Sequence, residues 1–399
     1  MVKTTNSMQL RTMSKFFNEF VKSQQFGGVL LLACTFFSII ISNTSVGEHY
    51  VHFWHQQIGF NLNSQPFFQS IEFVINDGLM SIFFLLVGME IKRELISGEL
   101  SSVQKAMLPM SAALGGMIVP AVIYFVINKG FPTADGWAIP MATDIAFALG
   151  ILGLVGKKVP VSLKIFITAL AVVDDLGAIV VIGIFYSSGI NFVYAIMSVA
   201  LIVILLIFNK MKYSNALLYF IPGIFLWYTI HHTGVHATLS GVLLAFTLPM
   251  HEKNGSPSLM AKAEHLLHTP VNFVVMPLFA LANTCIELNT DMLVVIPVHM
   301  IAGIAAGLCI GKPLGILLFS YITVKMKWAE LPRGIDWIDL TGAGLLGGIG
   351  FTMSVFITLL AFDAPDIVKI SKVTIVIASL IAGVAGFLWL RVSLRKVTL

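Results

Sequence analysis

Ala171-Val172-Val173-Asp174-Asp175-Leu176-Gly177-Ala178-Ile179-Val180 places two adjacent aspartates inside an otherwise apolar run. Between Val161 and Tyr186 the only other charge is Lys164, near the start, so the pair lies close to the middle of a segment long enough to cross a bilayer. A carboxylate at that depth costs about 2.5–3.5 kcal/mol on insertion scales, so such a residue faces a cavity or a partner and marks a pathway. Neighbouring side chains on a helix diverge by about 100°, so one aspartate lines the pathway while the other faces an adjacent helix or charge. Together they point to the handling of cations or protons. The bland alternative, a pair at a helix end standing in water, conflicts with the apolar flanks on both sides.

The rest of the chain agrees with that depth. Of 399 residues, 57% are hydrophobic and only 11% charged, and the mean hydropathy is +0.91, outside the range of ordinary soluble domains. The expectation is an all-α polytopic membrane protein forming one integral domain over residues 1–399. The net charge of +4 is explained by basic loops on one side of a membrane and calls for no nucleic acid. Cys34, Cys285 and Cys309 fall in or beside apolar runs and read as small packing residues. No cofactor is expected, no enzymatic chemistry, and no cleaved signal peptide. Residues 1–25 form a polar, basic cytoplasmic leader in which Phe16, Phe17, Phe20 and Val21 share one helical face. That segment is either a short helix on the membrane surface or a solvated leader.

Apolar runs follow at about 27–43, 71–91, 107–128, 137–154, 161–186, 192–209, 215–230, 234–250, 259–283, 302–324, 339–362 and 368–391, twelve in all. The basic residues test that count. With both termini inside, twenty of the 24 Lys and Arg fall in cytoplasmic loops or ends, among them Lys92, Arg93, Lys105, Lys157, Lys158, Lys210, Lys212, Lys325, Lys327 and Arg333. Only Lys129, Lys369 and Lys372 fall outside, and Lys312 lies within a span. One helix more or fewer would invert every later loop and destroy the asymmetry. After the first span, Val51, Phe53, Ile58, Phe60 and Leu62 alternate with other residues around Gln56-Gln57, which predicts a small outside β-hairpin over 45–63 able to pair with a second copy.

Two spans look broken. The fourth contains Trp137-Ala138-Ile139-Pro140-Met141-Ala142-Thr143-Asp144-Ile145, where Pro140 disfavours helix and Thr143-Asp144 puts a hydroxyl and a carboxylate at mid-depth. The eleventh carries Gly342, Gly344, Gly347, Gly348 and Gly350, a density that suits either an unwound segment or a close helix crossing. Lys312, near the centre of the tenth span, is too deep to reach water easily and needs a carboxylate or the negative end of a half-helix. Asp77 lies toward the outer end of the second span. Glu90 and Glu94 lie at its inner end, where paired charges are ordinarily solvated. His236 opens the eighth span, as a structural residue or as a group that titrates near neutrality.

These stretches, Ile75-Asn76-Asp77-Gly78-Leu79-Met80, Val87-Gly88-Met89-Glu90-Ile91-Lys92-Arg93-Glu94, Ala142-Thr143-Asp144-Ile145-Ala146-Phe147, Val173-Asp174-Asp175-Leu176-Gly177-Ala178, Gly234-Val235-His236-Ala237-Thr238, Gly311-Lys312-Pro313-Leu314-Gly315 and Gly348-Ile349-Gly350-Phe351-Thr352-Met353-Ser354, resemble the NhaA-type bacterial sodium/proton antiporters. The resemblance runs from the second span to the eleventh. It implies an inverted-repeat carrier fold whose discontinuous spans four and eleven cross at mid-membrane. Paired discontinuous helices meeting at mid-membrane recur among secondary transporters, and NhaA is one of the known examples. It further implies an electrogenic, pH-activated exchanger in the inner membrane that expels Na+ or Li+ and takes up protons. Asp175 and Asp174 would be the cation and proton carriers, with Asp175 the more direct Na+ ligand. Thr143 and Asp144 would lie beside the helix crossing, with Asp144 and Lys312 offsetting opposite half-helix ends. Asp77 would lie on the pathway. Glu90, Glu94, His236 and Glu264 would map to a cytoplasmic pH-response region, and the hairpin to a homodimer contact.

Three rivals are open to argument. A sodium-coupled symporter needs a roomy organic-substrate site, against which the crowded carboxylates and the want of an anion-binding arginine in a span both speak. An intramembrane aspartyl protease needs two aspartates sharing a proton, nominally Asp144 and Asp175, but its Gly-x-Gly-Asp sequence is missing. A passive channel has no use for Lys312 beside a cation site.

Overall fold

The computed structural model describes residues 26–62, 65–156, 158–187, 189–250, 257–287 and 297–396. The leader of residues 1–25 lies outside that set. In chain order the helices are α1 (Phe26–Ser42), α2 (Gly47–His55), α3 (Ile71–Ser97), α4 (Val103–Asn128), the 3₁₀ segment α5 (Pro132–Met141), α6 (Ile145–Val155), α7 (Val161–Phe185) and α8 (Phe192–Lys210). They continue as α9 (Leu217–His231), α10 (Leu239–Thr247), α11 (Leu259–Asn283), α12 (Val298–Lys325), α13 (Trp337–Gly347), α14 (Phe351–Ala361) and α15 (Pro365–Leu394). Most are apolar around much of their circumference, as helices with lipid on one side and protein on the other must be.

Among the described residues seven helices are long and apolar enough to cross a membrane alone, and three bent pairs meet the same test jointly, which makes up to ten. The pairs are α1 with α2, bent by 115°, α5 with α6, bent by 45°, and α13 with α14, bent by 43°. The runs expected to span at 215–230 and 234–250 are helical over only 15 and 9 residues. At 1.5 Å per residue those helices reach about 22 and 14 Å, short of the ~30 Å hydrocarbon layer. The interruption between them passes through Gly234, whose φ of +89° is open to glycine but strained for other residues.

The hairpin lies later than the alternating pattern placed it. Residues 47–55 are helical, and the strands are β1 (Gln57–Leu62) and β2 (Gln65–Ser70), antiparallel with Gln57 opposite Ser70 and Leu62 opposite Gln65. Tyr50 and Trp54, one helical turn apart, decide the period. Trp54 is buried, and the Tyr50 hydroxyl donates to Leu281 O of α11 at 3.3 Å, so this stretch docks as a helix.

The centre of the bundle is α7, the most buried of the long helices, whereas α8 is the most exposed and turns Phe192, Val193, Ile196 and Val199 outward. Helices α4 and α12 meet at Gly115 and Gly315, where a Cβ on either would strike the other's backbone. Small residues there let two backbones touch and carry Lys312 inward.

Candidate ion-binding site

Both broken helices come apart at the same place. The 3₁₀ segment α5 ends at Met141, and Ala142 and Asp144 are extended before α6 resumes at Ile145. Helix α13 ends at Gly347, and α14 resumes at Phe351. The two breaks are tied by backbone and side chain: Asp144 N donates to Ile349 O at 2.7 Å, Thr143 Oγ1 lies 2.9 Å from Gly347 O, and Ser354 Oγ donates to Ile139 O at 2.7 Å. Glycine is required at one of these points by close approach, since a Cβ on Gly348 would strike Leu308 O.

Asp144 caps two helices at once. Its Oδ1 accepts from Phe147 N at 3.0 Å in α6, and its Oδ2 accepts from Thr352 N at 3.2 Å and Thr352 Oγ1 at 2.5 Å in α14. The first N–H groups of a helix have no partner within it and carry the positive end of its dipole, so one carboxylate answers both ends. Lys312 does the converse. It is fully buried, its Nζ donates to Met141 O at the C-terminal end of α5, and it also donates to Asp174 Oδ2 at 2.5 Å. It follows a π turn, Gly307–Gly311, and precedes Pro313, which has no N–H to donate.

Asp174 and Asp175 lie midway along α7, both buried. Asp174 Oδ2 is 2.6 Å from Thr143 Oγ1 as well as from the lysine. A hydroxyl has one proton, so Thr143 satisfies either Asp174 or Gly347 O at a given moment and makes the end of α13 sensitive to the state of Asp174. Asp174 Oδ1 and Asp175 Oδ1 are buried without a hydrogen-bond donor. Buried acceptors of that kind are costly unless something positive meets them. The sequence-predicted residues Thr143, Asp144, Asp174 and Lys312 are thus one connected cluster, with Asp175 beside them in sequence. Thr352 belongs to it and was not singled out, although the Gly350-Phe351-Thr352 string after a glycine-rich break was its signal.

A second group forms at the other predicted position. Arg93 pairs with Glu264 and lies 3.2 Å from Glu94, whose Oε2 also accepts from Glu99 N at 3.0 Å, and Glu90 is buried one turn earlier on α3. These charges were expected to be solvated, and helix α11 covers them. His236 does not join them. It lies near Asp77 and His231 at the opposite end of α3, about 20 Å or more away by the helical rise. Sequence reasoning put His236 in that region by resemblance, and spacing along α3 separates them.

Two lysines read as loop charges are also buried. Lys92 Nζ donates to Phe246 O at 2.7 Å and Leu248 O at 2.5 Å, closing the C-terminus of α10. Lys372 lies 3.3 Å from Asn283 Oδ1 and 3.8 Å from Glu72 Oε1. Replacing Lys92 by Met is expected to leave two helix-terminal carbonyls unanswered and cost about 1–3 kcal/mol. A lowered unfolding midpoint in detergent checks this, and an unchanged midpoint would show the cap to be dispensable.

A multi-pass membrane protein with a charged, hydrogen-bonded centre built across two helix breaks is an ion carrier by class. A profile of the Na+/H+ antiporter 1 family matches residues 18–390, and the chain belongs to that family. Similar relatives include a protein of Flavobacterium johnsoniae named Na(+)/H(+) antiporter NhaA 2, 50% identical and covering 94% of this chain and 92% of its own. Proteins named Na(+)/H(+) antiporter NhaA from Flavobacterium psychrophilum and Cytophaga hutchinsonii are 48% and 46% identical, covering 95% and 96% of this chain and 97% of each relative.

Proposed function

We propose that this chain exchanges Na+ or Li+ from the cytoplasm for protons from outside, electrogenically and with activation at alkaline pH, in a bacterial inner membrane. The supporting observation is the pair of donorless buried oxygens, Asp174 Oδ1 and Asp175 Oδ1, beside a Lys312 already committed to Asp174 Oδ2. In this reading Asp175 is the cation's direct ligand, because Asp174 is held by Lys312 and Thr143. A proton and a cation compete for the same carboxylate, so loading one expels the other. Either Asp174 or Lys312 carries the second proton that makes the exchange electrogenic, since coupled sites titrate as a set.

The architecture that serves this has twelve spans in inverted repeats, with the short α9 and α10 counted as two of them, α5–α6 and α13–α14 as the crossing discontinuous spans, and both termini cytoplasmic. Asp77 lies on the outer pathway. Glu94 and Glu264, both paired with Arg93, and the buried Glu90 one turn away form the cytoplasmic pH-responsive group. Two copies pair through the hairpin. The protease alternative is disfavoured because both carboxylate oxygens of Asp144 are engaged in capping and have no role left as half of a shared-proton dyad.

Acid-loaded proteoliposomes test the reading. Proton release on adding Na+ or Li+, but not K+ or choline, and sensitive to membrane potential, is the expected result. A folded protein that releases none between neutral and clearly alkaline pH would overturn it in favour of a symporter.

A further inference from the structure

Asp77 sits where α3 widens into a π turn, Val74–Leu79, and its side chain is mostly buried. Its Oδ2 lies 3.3 Å from Nδ1 of His231, the last residue of α9, whose side chain is more open to the surface. His231 is held in that position by aromatic rings. It stacks on Trp227 at 5.9 Å and 14°, and it meets Phe73 edge-on at 5.7 Å. The titratable groups around it are Asp77 from α3, His232 at 5.2 Å, which itself meets Tyr194 of α8 and Tyr228 of α9, and His236 from the segment that follows. His236 in turn packs against Phe356, one helical turn beyond the Thr352 that is bonded to Asp144. His231 and Asp77 are thus within electrostatic reach of His236, whose ring contact leads on to α14 and the helix break.

A histidine beside a buried carboxylate has two electrostatic states near neutral pH. The imidazolium neutralises the carboxylate and fills one of its acceptor positions. The neutral ring leaves a net negative charge that a small hard cation can use. Sodium and the imidazolium thus compete for one group at this mouth. We propose that His231 is a proton-controlled shutter on Asp77: protonated, it occupies the carboxylate and keeps sodium from entering at this face, and neutral, it releases Asp77 as the cation's first ligand there. This rests on the exchange reading above and adds regulation of one mouth. Its consequence is directional. Acid at this face suppresses sodium re-entry while the proton supply that drives expulsion is high.

The test uses the full-length protein in right-side-out and everted membrane vesicles, which present opposite faces to the medium, with the apparent KM for Na+ measured across the imidazole range. The parent is expected to bind Na+ roughly five- to tenfold more weakly at the acid end of that range from the outer face, a coupling of ordinary allosteric size. His231→Gln, permanently neutral, abolishes that pH dependence and holds KM low, whereas His231→Lys, permanently charged, holds KM high. Both leave the everted-vesicle profile unchanged. Variants that shift KM in the same direction, or alter both faces equally, would mark His231 as merely structural and overturn the shutter. An unaltered outer-face profile in both variants would do the same while leaving exchange itself intact. A parent without exchange from either face would overturn the underlying reading as well.

Discussion

Asp175→Asn is expected to reduce sodium-driven proton release by about two to four decades, the equivalent of the roughly 3–5 kcal/mol lost when one partner of a buried charge interaction is removed. The amide keeps the shape of the side chain but has neither the charge that offsets a dehydrated cation nor a proton to give up. Asp175→Glu keeps the charge and adds a methylene to a close-packed helix, so it is expected to retain part of the activity. The assay is proton release from acid-loaded proteoliposomes, with size-exclusion profiles to show that each variant is folded. Release by Asp175→Asn at the parent's rate would remove Asp175 from the carrier role.

Asp144→Ala is expected to lower stability by about 3–5 kcal/mol, since three buried donors, Phe147 N, Thr352 N and Thr352 Oγ1, lose their acceptor at about 1–3 kcal/mol each with partial relaxation. Asp144→Asn keeps one carbonyl oxygen and serves one helix end, so its loss is smaller. Thr352→Val removes a single hydroxyl and is smaller again. Unfolding midpoints in detergent should fall in that graded order. Equal midpoints for all three would show that Asp144 does not hold the two breaks together.

The origin of these effects was unevenly legible before folding. Hydropathy and the one-sided lysines and arginines were enough to read a polytopic membrane protein, because lipid leaves no alternative for such runs. Pro140 and the glycines of 342–350 marked both breaks, because each weakens a helix locally whatever surrounds it. The hairpin was misplaced because alternation and helical period coincide over a few residues, and Tyr50 docking on Leu281 chose between them. Lys92 and Lys372 were read as loop charges because a sequence does not show which helix end another element covers. The apolar runs at 215–230 and 234–250 fold as helices of 15 and 9 residues because the chain turns at Gly234 between them, a break that hydropathy alone does not show.

By itself the sequence determined that charge lies at bilayer depth, on which residues, and within which kind of protein, since the cost of a charge in an apolar run is a local property of that run. Only the tertiary structure decided which charges meet. Lys312 lies 138 positions from Asp174, and Asp144 lies 208 from Thr352. Pairing over such separations is set by the close crossing of α4 and α12 at Gly115 and Gly315 and by the meeting of two helix breaks. His231 opposite Asp77 is of the same kind, because a residue that closes one helix acquires its partner only when another helix packs against it.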